Sequence, residues 1–74
     1  MEEKLREIFS RSLSLEPDEV TDELKYNTIH QWDSVAHMAL IAAIEEGFDI
    51  MIDAEDVIDM SSFAKAKEIV SKHL

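Results

Sequence analysis

Trp32-Asp33-Ser34-Val35-Ala36-His37-Met38-Ala39-Leu40-Ile41-Ala42-Ala43-Ile44-Glu45-Glu46 is the stretch on which the fold turns. It closes a polar loop and opens the most apolar helix of the chain, Ser34 to Glu46. Asp33 is a favoured N-cap residue, whose side-chain oxygen can accept a free backbone N–H of the first turn. Ser34 then falls on that turn, where unpaired N–H groups and the helix dipole stabilise negative charge. A hydroxyl there can carry a phosphate or phosphodiester. An ordinary capped helix with a solvated serine fits the same four residues, so the pair alone decides nothing.

Plotted at about 100° per residue, the helix gathers His37, Leu40, Ile41, Ile44 and, past Gly47, Phe48 on one face. The opposite face holds Val35, Met38, Ala39, Ala42 and Glu46. A surface helix of a small domain is polar there. Either the helix is buried on both sides or its outer face docks a partner. A chain of 74 residues can hardly bury a helix all round, which favours docking.

Upstream, Leu5, Ile8, Phe9 and Leu13 recur at three- and four-residue spacing and predict a helix from residue 2 to about 14. Its ends are suited by Glu2 and Glu3 and by Arg11. Pro17 limits its continuation. Residues 16–32 show no sustained period; Val20, Leu24, Tyr26 and Ile29 are the expected pins of this long loop, and Pro17-Asp18-Glu19 can hold a short helical turn.

Downstream, Gly47 reads as a helix stop. Phe48, Ile50 and Ile52 alternate with Asp49 and Met51, but no second strand exists to pair with them. They predict an extended connector. Asp53 can cap a short helix, Ala54 to Asp59. Ser61 or Ser62 caps a last helix with a core stripe of Phe63, Ala66, Ile69, Val70 and Leu74, while Lys65, Lys67 and Lys72 face water. The expected fold is all-α: a single domain over residues 1–74, with three main helices, one short helix and a long first loop.

Composition narrows the function. Net charge is −10, which disfavours nucleic acid and favours basic protein surfaces. The acid is unevenly placed: residues 34–60 hold seven acids and no lysine or arginine. There is no cysteine, so neither disulfides nor a thiolate metal site can help the small core. No apolar run is long enough to span a membrane, and Met1-Glu2-Glu3-Lys4 does not read as a signal peptide, so a cytoplasmic location is expected; a monomer is expected as well.

No catalytic constellation is visible, because no histidine is placed as a base for Ser34 within its motif. His30, His37 and His73 share no ligand spacing, and Asp53, Glu55, Asp56 and Asp59 lack the glycine and bidentate acid of a calcium loop. Neither an enzyme nor a metal site is expected. His37 is either a half-buried rim histidine or a flank of whatever Ser34 carries. Trp32 reads as an apolar plug against the loop, or as an aromatic that meets a partner.

Over nearly its full length the chain resembles the acyl carrier protein family. Asp33-Ser34-Val35 stands where the family has Asp-Ser-Leu. The likeness continues through Leu40-Ile41-Ala42-Ala43-Ile44-Glu45-Glu46 and Phe48-Asp49-Ile50-Met51-Ile52-Asp53 to Met60-Ser61-Ser62-Phe63. The resemblance implies a small helical bundle with a long first loop before the serine helix. It also implies that Ser34 carries a phosphopantetheine arm, moved there from coenzyme A by a phosphopantetheinyl transferase, with Asp33 as the motif aspartate. An acyl or aminoacyl cargo would ride the arm as a thioester between loading and transferring enzymes.

Departures from the family pattern shape the partner set. Trp32 replaces a small residue, Ala36 and Ala39 stand where fatty-acid carriers have acids, and Asp53 replaces a common proline. Docking is therefore expected through Val35, Ala36, Met38, Ala39 and Ala42, with Glu45 and Glu46 as the charged contacts, in a dedicated pathway. The rival reading is an unmodified acidic helical interaction domain using the same face.

Overall fold

Helix α1 (Glu2–Leu13) forms where Leu5, Phe9 and Leu13 repeat at four-residue intervals, and it is those three side chains that it buries. The computed structural model describes residues 1–74. After α1 come a 3-10 turn (Pro17–Glu19), α2 (Ser34–Phe48), α3 (Ala54–Asp59) and α4 (Phe63–Lys72), with no strand. The all-α bundle with a long first loop is the architecture expected from the sequence.

One apolar cluster of sixteen residues joins these elements. Phe9 lies at its centre, edge-on to Trp32 with ring centroids 5.3 Å apart and to Phe63 at 5.1 Å. Such edge-to-face packing adds to the area that each ring buries. Helix α2 contributes Leu40, Ile41 and Ile44, and α4 contributes Phe63, Ala66, Ile69 and Val70.

The loop between α1 and α2 is pinned by side chains and by backbone. Val20 and Leu24 are buried, Ile29 is half-buried, and Tyr26 packs its ring against Trp32 while remaining partly exposed. Arg6 Nε donates to Val20 O at 3.1 Å. Tyr26 N–H donates to Ser61 O and Phe63 N–H to Leu24 O, an isolated antiparallel bridge that fastens the loop to the start of α4.

Helix starts follow the local cap chemistry. Asp33, Asp53 and Ser62 each accept a backbone N–H three residues on, from Ala36, Asp56 and Lys65. That settles the last cap on Ser62 rather than Ser61. The connector after α2 alternates without any partner strand, Ile52 buried and Met51 exposed. It is held by Ile52 N–H donating to Glu45 Oε2 at 2.9 Å.

Three sequence expectations are corrected. Gly47 is not the stop of α2. The helix passes through it to Phe48 and ends at Asp49, which adopts the left-handed conformation at φ 56° and ψ 51°. Asp tolerates that region better than most residues. Gly47 instead permits close packing on α1, because a Cβ there would stand 2.8 Å from Ile8 Cδ1.

Leu74 is not in the core stripe: α4 ends at Lys72, and Leu74 beyond it is 69 % exposed. Nor does Lys67 simply face water. Its ammonium sits 2.7 Å from Asp22 and 3.6 Å from Glu2, over the Phe63 ring. The hydrogen bond it donates to Asp22 is the main cause of its raised pKa.

Candidate functional site

The start of α2 is built by the turn that precedes it. Asn27 takes a positive φ of 65°, and its N–H donates to Trp32 O, while Trp32 N–H donates to Ile29 O. This tight reversal drives the Trp32 indole inward and leaves Asp33 extended at the helix entrance. Asp33 Oδ1 accepts the Ala36 N–H at 2.9 Å.

Ser34 is the first residue of the helix and is exposed. Its own N–H and that of Val35 lie ahead of any carbonyl four residues back in the helix, so they stay available to an anion. A substituent on Ser34 Oγ can point into solvent at the positive end of the dipole without displacing a packed side chain. Asp33 and Ser34 thus stand together at one exposed helix entrance.

His37, one turn on, is held at both ring nitrogens. The Trp32 indole N–H donates to Nδ1 at 2.9 Å, and Nε2 lies 2.8 Å from Val57 O on α3. Indole nitrogen only donates and a carbonyl only accepts, so the pattern requires the neutral ring with its proton on Nε2. Neither nitrogen is left to act as a base for Ser34. Sequence reading placed Trp32 against the loop and His37 at the rim, but it missed their bond. No local spacing rule pairs residues five apart across a helix start.

Beside His37 lies an apolar cleft of about 250 Å³, lined by Tyr26, His37, Val57, Ile58, Met60 and Ser61.

The outer face of α2 is exposed along its length: Val35 at 78 % and Met38 at 60 %, with Ala39, Ala42 and Glu46 also open. Two residues expected with them are placed differently. Ala36 is half-buried and packs on the core, and Glu45 is half-buried with its carboxylate occupied by Ile52 N–H. Two more large apolar side chains lie exposed: Ile58, which the sequence reading left out, and Met51, which it set opposite the inserted side chains of the connector.

The acids after α2 have structural duties. Asp53 caps α3, and Asp56, the one buried charged side chain, receives the Lys72 ammonium at 2.9 Å. That hydrogen bond is the main cause of the raised Lys72 pKa.

No protein-family model matches the sequence. A curated relative does: an acyl carrier protein of Akkermansia muciniphila is 33 % identical over 72 residues, an alignment covering 97 % of this chain and 90 % of that protein.

Proposed function

This chain belongs to the acyl carrier protein family, and on that premise we propose that Ser34 bears a phosphopantetheine arm on which an acyl or aminoacyl group is carried between enzymes. The observation that supports the reading most is the exposed Asp33-Ser34 pair at the entrance of α2. In the modifying step the Ser34 hydroxyl oxygen bonds to the phosphorus nearest the pantetheine of coenzyme A. The phosphoanhydride bond breaks, adenosine 3′,5′-bisphosphate leaves, and the serine proton passes to the transferase. The arm, once attached, supplies a thiol that holds the acyl group as a thioester.

The chain's own residues do the rest. Asp33 fixes the helix entrance through its cap, and the Ser34 and Val35 N–H groups face the new phosphodiester. The exposed Val35, Met38, Ala39 and Ala42 offer an apolar docking face, with Glu46 beside it as a free acid. Neutral alanine at positions 36 and 39 fits a dedicated pathway better than general fatty-acid synthesis. No helix of the chain is long and apolar enough to cross a membrane, and the partners proposed are cytoplasmic enzymes.

The test is an intact mass after incubation with coenzyme A and a broad-specificity transferase. One phosphopantetheine should be added to the wild type and none to Ser34→Ala. Absence of any gain in the wild type would instead support an unmodified interaction domain using the same α2 face.

A further inference from the structure

Three clefts mark the surface, and none opens into the interior. Of the sixteen buried apolar residues, only Ile69 and Met60 reach a cleft lining. The clefts between α3 and α4 and between α1 and α2 are lined mainly by charged and hydroxyl side chains. The cleft of Tyr26, His37, Val57, Ile58, Met60 and Ser61 is mainly apolar, and it lies beside Ser34, because His37 follows that serine by one helical turn.

The back wall of this cleft is a chain of hydrogen bonds. Trp32 Nε1–H donates to His37 Nδ1, and His37 Nε2–H donates to Val57 O, tying the core tryptophan, α2 and α3 together. The ring geometry agrees with it: imidazole and indole lie nearly coplanar, 25° apart with centroids at 6.0 Å, and Tyr26 closes edge-on at 5.3 Å from His37.

We propose that His37 bars the passage between α2 and α3 beside Ser34, which makes this a carrier for short or polar acyl groups that remain outside the helical core. The proposal rests on the carrier reading of Ser34. A chain entering the core must part His37 from Val57 and strand the Trp32 N–H, a fully buried donor, without a partner. Behind the bar, Trp32 and Leu40 are fully buried, with no cavity beside them to receive methylenes. Overfilling such a core forces side chains off their rotamers, which offsets part of what the transfer of each methylene returns. A short group needs no such entry: the open cleft of about 250 Å³ accommodates it against Val57 and Ile58.

The experiment loads the protein from acetyl-, butyryl- and octanoyl-coenzyme A with a broad transferase. It follows melting temperature, thioester hydrolysis and the emission of Trp32, the single tryptophan. In the wild type the Trp32 emission should be independent of chain length, because the cleft lies outside the core. In His37→Ala the octanoyl form should shift the Trp32 emission and hydrolyse several-fold more slowly than the acetyl form. His37→Gln can accept from Trp32 and donate to Val57, and it should restore wild-type behaviour.

Trp32 emission that changes progressively with chain length in the wild type would overturn the proposal. So would a His37→Ala protein that behaves as wild type. Should His37→Ala not fold, the imidazole ¹⁵N spectrum of the unloaded wild type decides: a proton on Nδ1 is incompatible with the bar. Failure of mass gain in every loading reaction overturns the carrier reading itself and is seen separately from these outcomes.

Discussion

At position 47 two opposing effects meet on one residue. Alanine in a helix interior is favoured over glycine by up to about 1 kcal/mol. Here the added Cβ would press on Ile8 Cδ1 at 2.8 Å, the flexible end of a half-buried side chain. Moving that methyl off its rotamer costs about 0.5–1.5 kcal/mol, so the two nearly cancel. Gly47→Ala is expected to leave stability within about 1 kcal/mol of wild type, whereas in an Ile8→Val background the same change should stabilise. A double-mutant cycle read by urea unfolding checks it, and additivity of the two changes would refute the steric account. The residue also shows why sequence misreads it: the stop signal of a glycine is local, while the neighbour packed against it belongs to α1. The Trp32–His37 bond was hidden for the same reason, since it depends on the preceding reversal and on Val57.

Among elements, what was legible is what local chemistry decides. The caps Asp33, Asp53 and Ser62 act on N–H groups three residues away, and all three helix starts fell where short polar side chains precede apolar ones. The serine helix was read correctly in its two faces, because Leu40, Ile41 and Ile44 are buried while Val35 and Met38 lie open. The half-burial of Ala36 was not readable, because it depends on how steeply α2 leans on the core. That placement changes the test of partner choice. An acid at position 36 would disturb packing, whereas Ala39 is exposed and takes one freely. Ala39→Glu on the arm-bearing protein should raise its turnover with a housekeeping fatty-acid synthase and weaken the cognate enzyme, more at low salt than at high. An added exposed ion pair contributes about 0–1 kcal/mol, so changes of about fivefold or less are expected. Equal turnover of both proteins at both salt concentrations would reject the docking face.

For the whole molecule, charge is the dominant imbalance. Lys67 and Lys72 draw Asp22, Glu2 and Asp56 into favourable pairs, but residues 34–60 hold seven acids and no basic partner among themselves. Screening therefore relieves more repulsion than it weakens attraction. The melting temperature is expected to rise with moderate sodium chloride and with millimolar magnesium. A fall with salt would mean that the few ion pairs outweigh the excess. The bridge from Leu24 and Tyr26 to Ser61 and Phe63 carries a different kind of consequence, one of timing. It joins segments at residues 25 and 62 through one isolated bridge, whereas α1 and α2 pack along one another. A single bridge returns little for the loop it closes, and only once both ends are in place. The clasp should thus form after the folding barrier and open before it in reverse. Stopped-flow kinetics should show Leu24→Ala accelerating unfolding while scarcely altering the folding rate, and Ile44→Val slowing folding instead. A carrier assembled in this order lets its long loop come undone while α1 and α2 still hold together.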